Sequence, residues 1–165
     1  MGKLAQRTIF SVGSSNRSAE ELFCLLAQHH IRRLVDVRRF PISRWPHFSR
    51  KILASLAERR GLEYFYLGDL LGGYRAGGYV QHLKTAEFRL GLDRLERLAL
   101  ERKVVFLCAE RFPWRCHRRF IATALEDLGW RVVHIIDQDR TWRSVTRREC
   151  DEQAGSGQVE LNLPG

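Results

Sequence analysis

Between Lys103 and Arg119 the chain sets two cysteines, a glutamate, a histidine and several arginines just behind an apolar run. Cys108 follows Val104-Val-Phe-Leu107 directly, Glu110 and Arg111 come next, and Arg115, Cys116, His117 and Arg118 close the cluster. A thiol can act as a nucleophile once ionised, and a carboxylate and an imidazole can move protons. A short apolar run after a charge predicts a strand buried on both faces of a parallel sheet. Open sheets of that kind bind ligands beyond the carboxyl ends of their strands.

A second acid lies at a similar place. Asp36 falls at the end of the predicted strand Arg33-Leu-Val-Asp-Val37 and is trailed by Arg38 and Arg39. Nearby positive charge keeps a carboxylate ionised, so Asp36 is either a catalytic acid or a structural partner of an arginine. The next stretch, Pro41-Ile-Ser-Arg-Trp-Pro-His-Phe-Ser49, mixes Arg44 with Trp45, His47 and Phe48. Planar side chains beside cations suit base stacking with phosphate contacts, although Trp45 and Phe48 could equally anchor the loop on the core. The turn Gly13-Ser-Ser-Asn-Arg17 after the first strand either aims its amides at a phosphate or simply connects strand to helix.

These residues need a scaffold, and the hydrophobic pattern supplies one. Strands are predicted at Thr8–Val12, Arg33–Val37, Glu63–Leu67, Val104–Leu107 and Arg131–Ile136. Helices fall between them: one capped by Ser18 with Glu21 three residues on, one from Ser49 to Arg60, one from about Thr85 to Arg102, and one through Phe120 to Leu128. The alternation predicts a single-domain, three-layer α/β fold of Rossmann-like type, with a mostly parallel sheet of about five strands. The domain is expected to span residues 1–140, with an irregular tail over 141–165. The glycine-rich Gly68–Tyr79 segment matches neither a dinucleotide fingerprint nor a phosphate-binding P-loop, and is expected to be a lid or a solvated loop.

Composition narrows the partners. Lys and Arg outnumber Asp and Glu by 28 to 19, a formal charge of +9, which favours a polyanion. No apolar run reaches membrane-spanning length and the N-terminal residues lack a hydrophobic signal core, so a cytoplasmic protein with no membrane partner is expected. The four cysteines are too sparse for a disulfide framework. Nucleic acid is the expected partner, DNA ahead of RNA, and oligomeric state is not legible.

Several segments together resemble the domain-of-unknown-function 488 family. They are Thr8-Ile-Phe-Ser-Val-Gly-Ser-Ser-Asn-Arg17, Leu34-Val-Asp-Val-Arg38 with Pro41, His47-Phe48, Leu71-Gly-Gly73, and Leu107-Cys-Ala-Glu110 with Cys116-His-Arg118. Ser14 stands where the family usually carries histidine. The resemblance points to Ser15, Asn16, Arg17, Asp36, Arg38, Cys108, Glu110, Cys116, His117 and Arg118.

Three chemistries compete for this set. In the first, an enzyme cleaves a nucleobase from its sugar, a DNA glycosylase-like hydrolysis with a role in DNA repair. Asp36, Glu110 and His117 are then catalytic. Ser15, Asn16, Arg17, Arg38, Arg39, Arg44, Arg111 and Arg118 hold phosphates, while Trp45, Phe48 or Trp114 stack on an extruded base. The second is thiolate chemistry at Cys108 with Cys116, since the chain also looks like a rhodanese domain. Arg111 and Arg115 do not stand at the phosphatase spacing from Cys108. The third is a metal held by Cys108, Cys116 and His117. Their spacing fits no common zinc pattern and a structural zinc wants a fourth ligand, so no metal and no cofactor is expected. A protein that only binds nucleic acid is the non-catalytic alternative.

Overall fold

The computed structural model describes residues 7–144. In chain order the elements are β1 (Thr8–Gly13), α1 (Ala19–Gln28), β2 (Arg33–Asp36), a 3-10 turn (Pro46–Phe48) and α2 (Arg50–Arg59). They continue with β3 (Glu63–Tyr66), α3 (Gly68–Leu71), α4 (Tyr79–His82), α5 (Ala86–Glu101) and β4 (Val104–Cys108). A second 3-10 turn (Pro113–Arg115), α6 (Arg118–Asp127), β5 (Arg131–Asp137) and β6 (Arg140–Trp142) complete the described part.

The strands form one sheet in the order β3-β2-β4-β1-β5-β6. β1 to β5 pair in parallel, and only β6 runs antiparallel, along β5. Each helix connecting parallel strands must lie on one face, and alternation along the strands shows which. Val35, Val104, Phe106 and Cys108 pack with Phe88, Leu92 and Leu95 of α5 and Ile121 and Leu125 of α6. Leu34, Val105, Leu107, Phe10 and Val12 pack on the opposite face, with Leu22 and Leu26 of α1 and Leu53 and Ala57 of α2. The result is the expected three-layer α/β arrangement. Every residue of β4 is buried, because helices cover it on both sides. Full burial of side chains such as Leu22 and Leu26 is worth about 1.5–3 kcal/mol each.

The local signals act as their chemistry requires. Ser18 accepts a hydrogen bond from the Glu21 amide at 3.1 Å and so starts α1. Thr85 does the same for the Phe88 amide at 3.2 Å, which places α5 one residue inside the predicted bounds at each end. Ser49 occupies the cap position of α2, but its hydroxyl donates to the Pro46 carbonyl instead.

Two expectations need correction. The tail expected to be irregular from residue 141 opens instead inside β6, since Arg140–Trp142 forms a strand across the expected domain limit at residue 140. Three residues are too few to show strand periodicity, and β6 is anchored by Trp142 stacking on His134 and meeting Trp114 edge-on. The rest of the expected tail, residues 145–165, lies outside the described residues. The glycine-rich segment is also not a bare loop. It carries α3 and α4, and Arg75 ties it together by donating to the carbonyls of Gly72 at 2.9 Å and Gly68 at 3.3 Å.

Candidate functional site

Strand order places the site. β1 and β4 are neighbours, but the helix after β1 lies on one face of the sheet and the helix after β4 on the other. A crevice opens where connections depart in opposite directions, and ligands bind there in sheets of this type. A cavity of about 900 Å³ occupies that position. The turn after β1 supplies Ser14, Ser15 and Asn16, the loop after β2 supplies residues from Arg38 to Trp45, and the loop after β4 supplies Cys108, Ala109, Glu110, Arg115, Cys116 and His117.

Main-chain bonds join two of these walls. The amides of Ser14 and Ser15 donate to the carbonyls of Cys108 and Ala109, each at 2.8 Å. A Cβ at Gly13 would overlap the Glu110 carbonyl, so only glycine lets the loop after β4 cross the end of β1 this closely. The anion-binding role expected for the Ser14–Asn16 amides therefore does not fit: the first two are already spent inside the protein. The side chains of Ser15 and Asn16 remain at the cavity wall, with Asn16 Oδ1 accepting from Arg111 Nη2 at 3.3 Å.

Asp36 does not share the cavity with Glu110. It is fully buried, on the side of the sheet covered by α1 and α2, next in line to Leu34. Its Oδ1 accepts from Arg38 Nε at 2.9 Å and from the Arg38 amide at 3.1 Å. Its Oδ2 accepts from Arg38 Nη2 at 2.8 Å and from the Tyr64 hydroxyl at 2.6 Å. Burial, with the Asp36 carboxylate beside it, pushes the Tyr64 phenol well above its ordinary value. A carboxylate with both oxygens engaged has no lone pair directed at a substrate, so Asp36 and Glu110 do not flank one ligand here.

The arginines divide into two groups. Arg17 is buried and donates to the carbonyls of Gly13 and Ile136, with Asp137 at 3.6 Å. Arg111 is held by Asp137 at 2.9 Å. Arg118 is fully buried and donates to Ser11 Oγ at 3.0 Å and to the carbonyls of Glu110 and Arg111. Arg38 reaches the cavity wall, but its guanidinium is occupied by Asp36 and the Phe48 carbonyl. These four hold the loops in place. Arg39, Arg44 and Arg115 line the cavity, and none of the three has an ion-pair partner among the described residues.

Of the aromatic candidates, Phe48 is fully buried in the core and Trp114 packs on Phe112 and Trp142, so neither lines the cavity. Trp45 lines it, with Arg44 over its ring. Phe40, Ile42 and Tyr74 stand beside it at the rim, respectively 60%, 88% and 87% exposed, an uncommon concentration of large apolar groups in water. Tyr74 adopts a left-handed backbone at φ 58°. Sequence reasoning missed Phe40, Tyr74, Tyr79 and Arg115. The last sat in plain view within the Cys108–Arg118 cluster, but Tyr74 and Tyr79 reach the wall only through the folding of the glycine-rich segment.

The floor of the cavity is a thiol cluster. Cys108 and Cys116 are both free, and their sulfurs lie 3.0 Å apart. His117 Nδ1 stands 3.7 Å from the first sulfur and 3.6 Å from the second. The hydrogen bond from Cys116, and more weakly the buried Arg118 charge, bring the Cys108 thiol down to about 7 despite its burial. The same contact and burial push Cys116 the other way, up to about 12. One proton shared between two sulfurs produces this split. Glu110, exposed, lines the cavity two residues beyond Cys108 and accepts from the Phe112 amide at 3.4 Å.

Fold and site together define a parallel α/β protein with a strand-end cavity floored by thiols and rimmed by arginines. Residues 18–125 match the model of the family described as Domain of unknown function DUF488, and the chain belongs to that family. No curated protein and no solved structure matches it at a level that shows a relationship.

Proposed function

We propose that this protein is a nucleic-acid-binding enzyme that takes a nucleobase into the strand-end cavity and acts hydrolytically on the base or its glycosidic bond. The observation that carries the proposal is the shared cavity. Glu110 opens on the same space of about 900 Å³ as Arg39, Arg44, Arg115 and the exposed rings of Phe40, Trp45 and Tyr74. That volume suits a nucleotide-sized ligand. The arginines match phosphates and the rings match an unstacked base.

Without Asp36 in the cavity, the mechanism rests on one carboxylate. Glu110 takes a proton from water as the water oxygen bonds to the sugar C1′. The bond from C1′ to the base nitrogen breaks, its electron pair leaves with the base, the departing nitrogen takes a proton from solvent, and Glu110 then returns its own proton to solvent. Stabilising the positive sugar that develops is the work of the same carboxylate. Asp36, Arg38, Arg17 and Arg118 are positioning residues, since each holds a loop that carries a cavity wall. The free thiols Cys108 and Cys116 fit a reducing compartment such as the cytoplasm. Among the described residues no helix is long and apolar enough to cross a membrane.

The test is incubation with oligonucleotides carrying normal and modified bases, DNA first and RNA second, with abasic sites, released bases and altered bases measured by mass spectrometry. Turnover of a base supports the proposal. Binding without any change in the nucleic acid favours a binding protein, and absence of both contradicts it.

One observation favours a second reading. Cys108 lines the cavity at the end of a strand, where its sulfur could attack a sulfur donor bound in that space. Cys108-dependent transfer of sulfur from thiosulfate to cyanide would put it first.

A further inference from the structure

We propose that Cys108, Cys116 and His117 form a binding site for one zinc ion, with its fourth position open to the cavity. Sequence spacing argued against a metal because it fits no common zinc pattern, but the fold brings the three donors together from opposite ends of one loop. Cys108 ends β4, and Cys116 and His117 lie immediately before α6. Their ligand atoms all lie within 4.8 Å of one another.

The distances suit the ion. A tetrahedral zinc with bonds of about 2.3 Å to sulfur and about 2.0–2.1 Å to nitrogen sets sulfur and nitrogen about 3.6 Å apart and two sulfurs about 3.8 Å apart. The two sulfur-to-nitrogen separations here are 3.7 and 3.6 Å. The sulfurs, at 3.0 Å, need to part by about 0.8 Å to reach that geometry.

The surroundings are those of a metal site rather than of a packed thiol pair. His117 Nε2 faces the Val37 carbonyl at 3.3 Å, and since a carbonyl only accepts, this nitrogen carries the proton and Nδ1 is left with its lone pair toward both sulfurs. A backbone carbonyl on the far nitrogen is how ligating histidines are commonly oriented. The Cys116 sulfur also receives a main-chain N–H, from Arg118 at 3.4 Å. Arg118, packed just behind the cluster, is fully buried without a carboxylate partner among the described residues, so an anionic group at this end of the loop is favoured. Gly73 leaves the remaining space: a Cβ there would stand 3.2 Å from His117 Nδ1, against the atom that must meet the ion.

Three protein ligands and an open position define a site for reaction chemistry rather than structure alone. If the proposed base hydrolysis holds, and only then, a zinc-bound water would be the attacking nucleophile, giving its proton to Glu110.

The test needs no substrate. The full chain is stripped with a chelator under reducing conditions and titrated with Zn²⁺, or with Co²⁺ as a spectroscopic probe. Expected are one equivalent of metal per chain, tight enough to resist dialysis, and the near-ultraviolet thiolate-to-cobalt band with the intense visible bands of tetrahedral cobalt. Zinc should protect Cys108 and Cys116 from alkylation and leave Cys24 reactive. Cys108→Ser, Cys116→Ser and His117→Ala should each weaken affinity by about 100-fold or more, while Cys24→Ser leaves it unchanged. Wild-type protein that stays metal-free, gives no thiolate-to-cobalt band, or forms a Cys108–Cys116 disulfide in the presence of excess zinc overturns the proposal, whether or not any variant folds. Metal binding without action on nucleic acid would keep this site and remove only the base-hydrolysis reading.

Discussion

Asp36 and Arg38, two residues apart in sequence, form a buried bidentate pair, with Nε to Oδ1 at 2.9 Å and Nη2 to Oδ2 at 2.8 Å. The aspartate is wholly excluded from water, and the arginine nearly so. The pair fixes the start of the loop that carries Arg39, Arg44 and Trp45, because the same guanidinium donates to the Phe48 carbonyl at 2.7 Å.

Breaking that pair on one side leaves a buried cation without its counter-charge. Asp36→Asn is expected to lower stability by about 3–5 kcal/mol. Any activity should fall only in proportion to the folded fraction. Joint replacement of Asp36 and Arg38 by apolar residues of similar size should cost less than the two single changes summed. Urea unfolding of the three variants checks both statements. A stable Asp36→Asn protein with abolished turnover would return Asp36 to the chemistry.

Phosphate contacts should come from the cavity arginines rather than from the buried ones. Arg39→Gln, Arg44→Gln and Arg115→Gln are each expected to weaken oligonucleotide binding. Each should also flatten the plot of log affinity against log salt by about 0.7–0.9, the loss of one neutralised phosphate. Fluorescence anisotropy across a salt series measures the slope. Binding that ignores salt, or ignores all three changes, contradicts a nucleic-acid partner at this face.

A buried histidine makes stability depend on pH. Ser11 accepts from Arg118, so its own hydrogen is directed to His134 Nδ1, and His134 is held neutral. Burial first, and the nearby Arg118 charge second, bring its pKa from 6.5 down to about 3. The unfolded chain therefore binds a proton that the folded protein refuses. His134 has no penalty above pH 6.5 and lowers stability progressively as pH falls from there toward 3. The slope approaches about 1.4 kcal/mol per pH unit from this residue. Denaturant midpoints at pH 7.5 and 4.5, compared with those of His134→Gln, isolate the contribution of His134. A variant with the same pH dependence as the wild type contradicts it.

The layers of the fold were legible because periodicity reports burial directly. The all-apolar Val104–Leu107 run predicted the central strand, and Ser18 with Glu21 three residues on marked the start of its helix. The site was legible as a set of residues, less so as a set of roles. Charge and type make Arg17, Arg38, Arg111 and Arg118 look alike beside Arg44. Only the tertiary structure separates guanidiniums spent on carbonyls and carboxylates from those facing the cavity. Asp36 failed as a cavity acid for a related reason. Side chains alternate across a strand, and the sequence fixes neither which helix covers its face nor that Tyr64 arrives on the neighbouring strand to take its second oxygen. The approach of Cys108, Cys116 and His117 was hidden by loop length, since spacing patterns describe tight turns and the two cysteines meet across a wider loop.

The proposed action of Glu110 on a base held in the strand-end cavity depends on the charge of its carboxylate. The direct measurement is turnover and affinity, side by side, for the wild type and Glu110→Gln on the oligonucleotide that the wild type changes. Glutamine keeps the shape and removes the charge, and the positive sugar exists only in the transition state. Turnover should therefore drop by about 100-fold or more, with the dissociation constant altered by no more than about threefold. Equal turnover in the two proteins, or a wild type that binds oligonucleotides and changes none of them, would contradict the account.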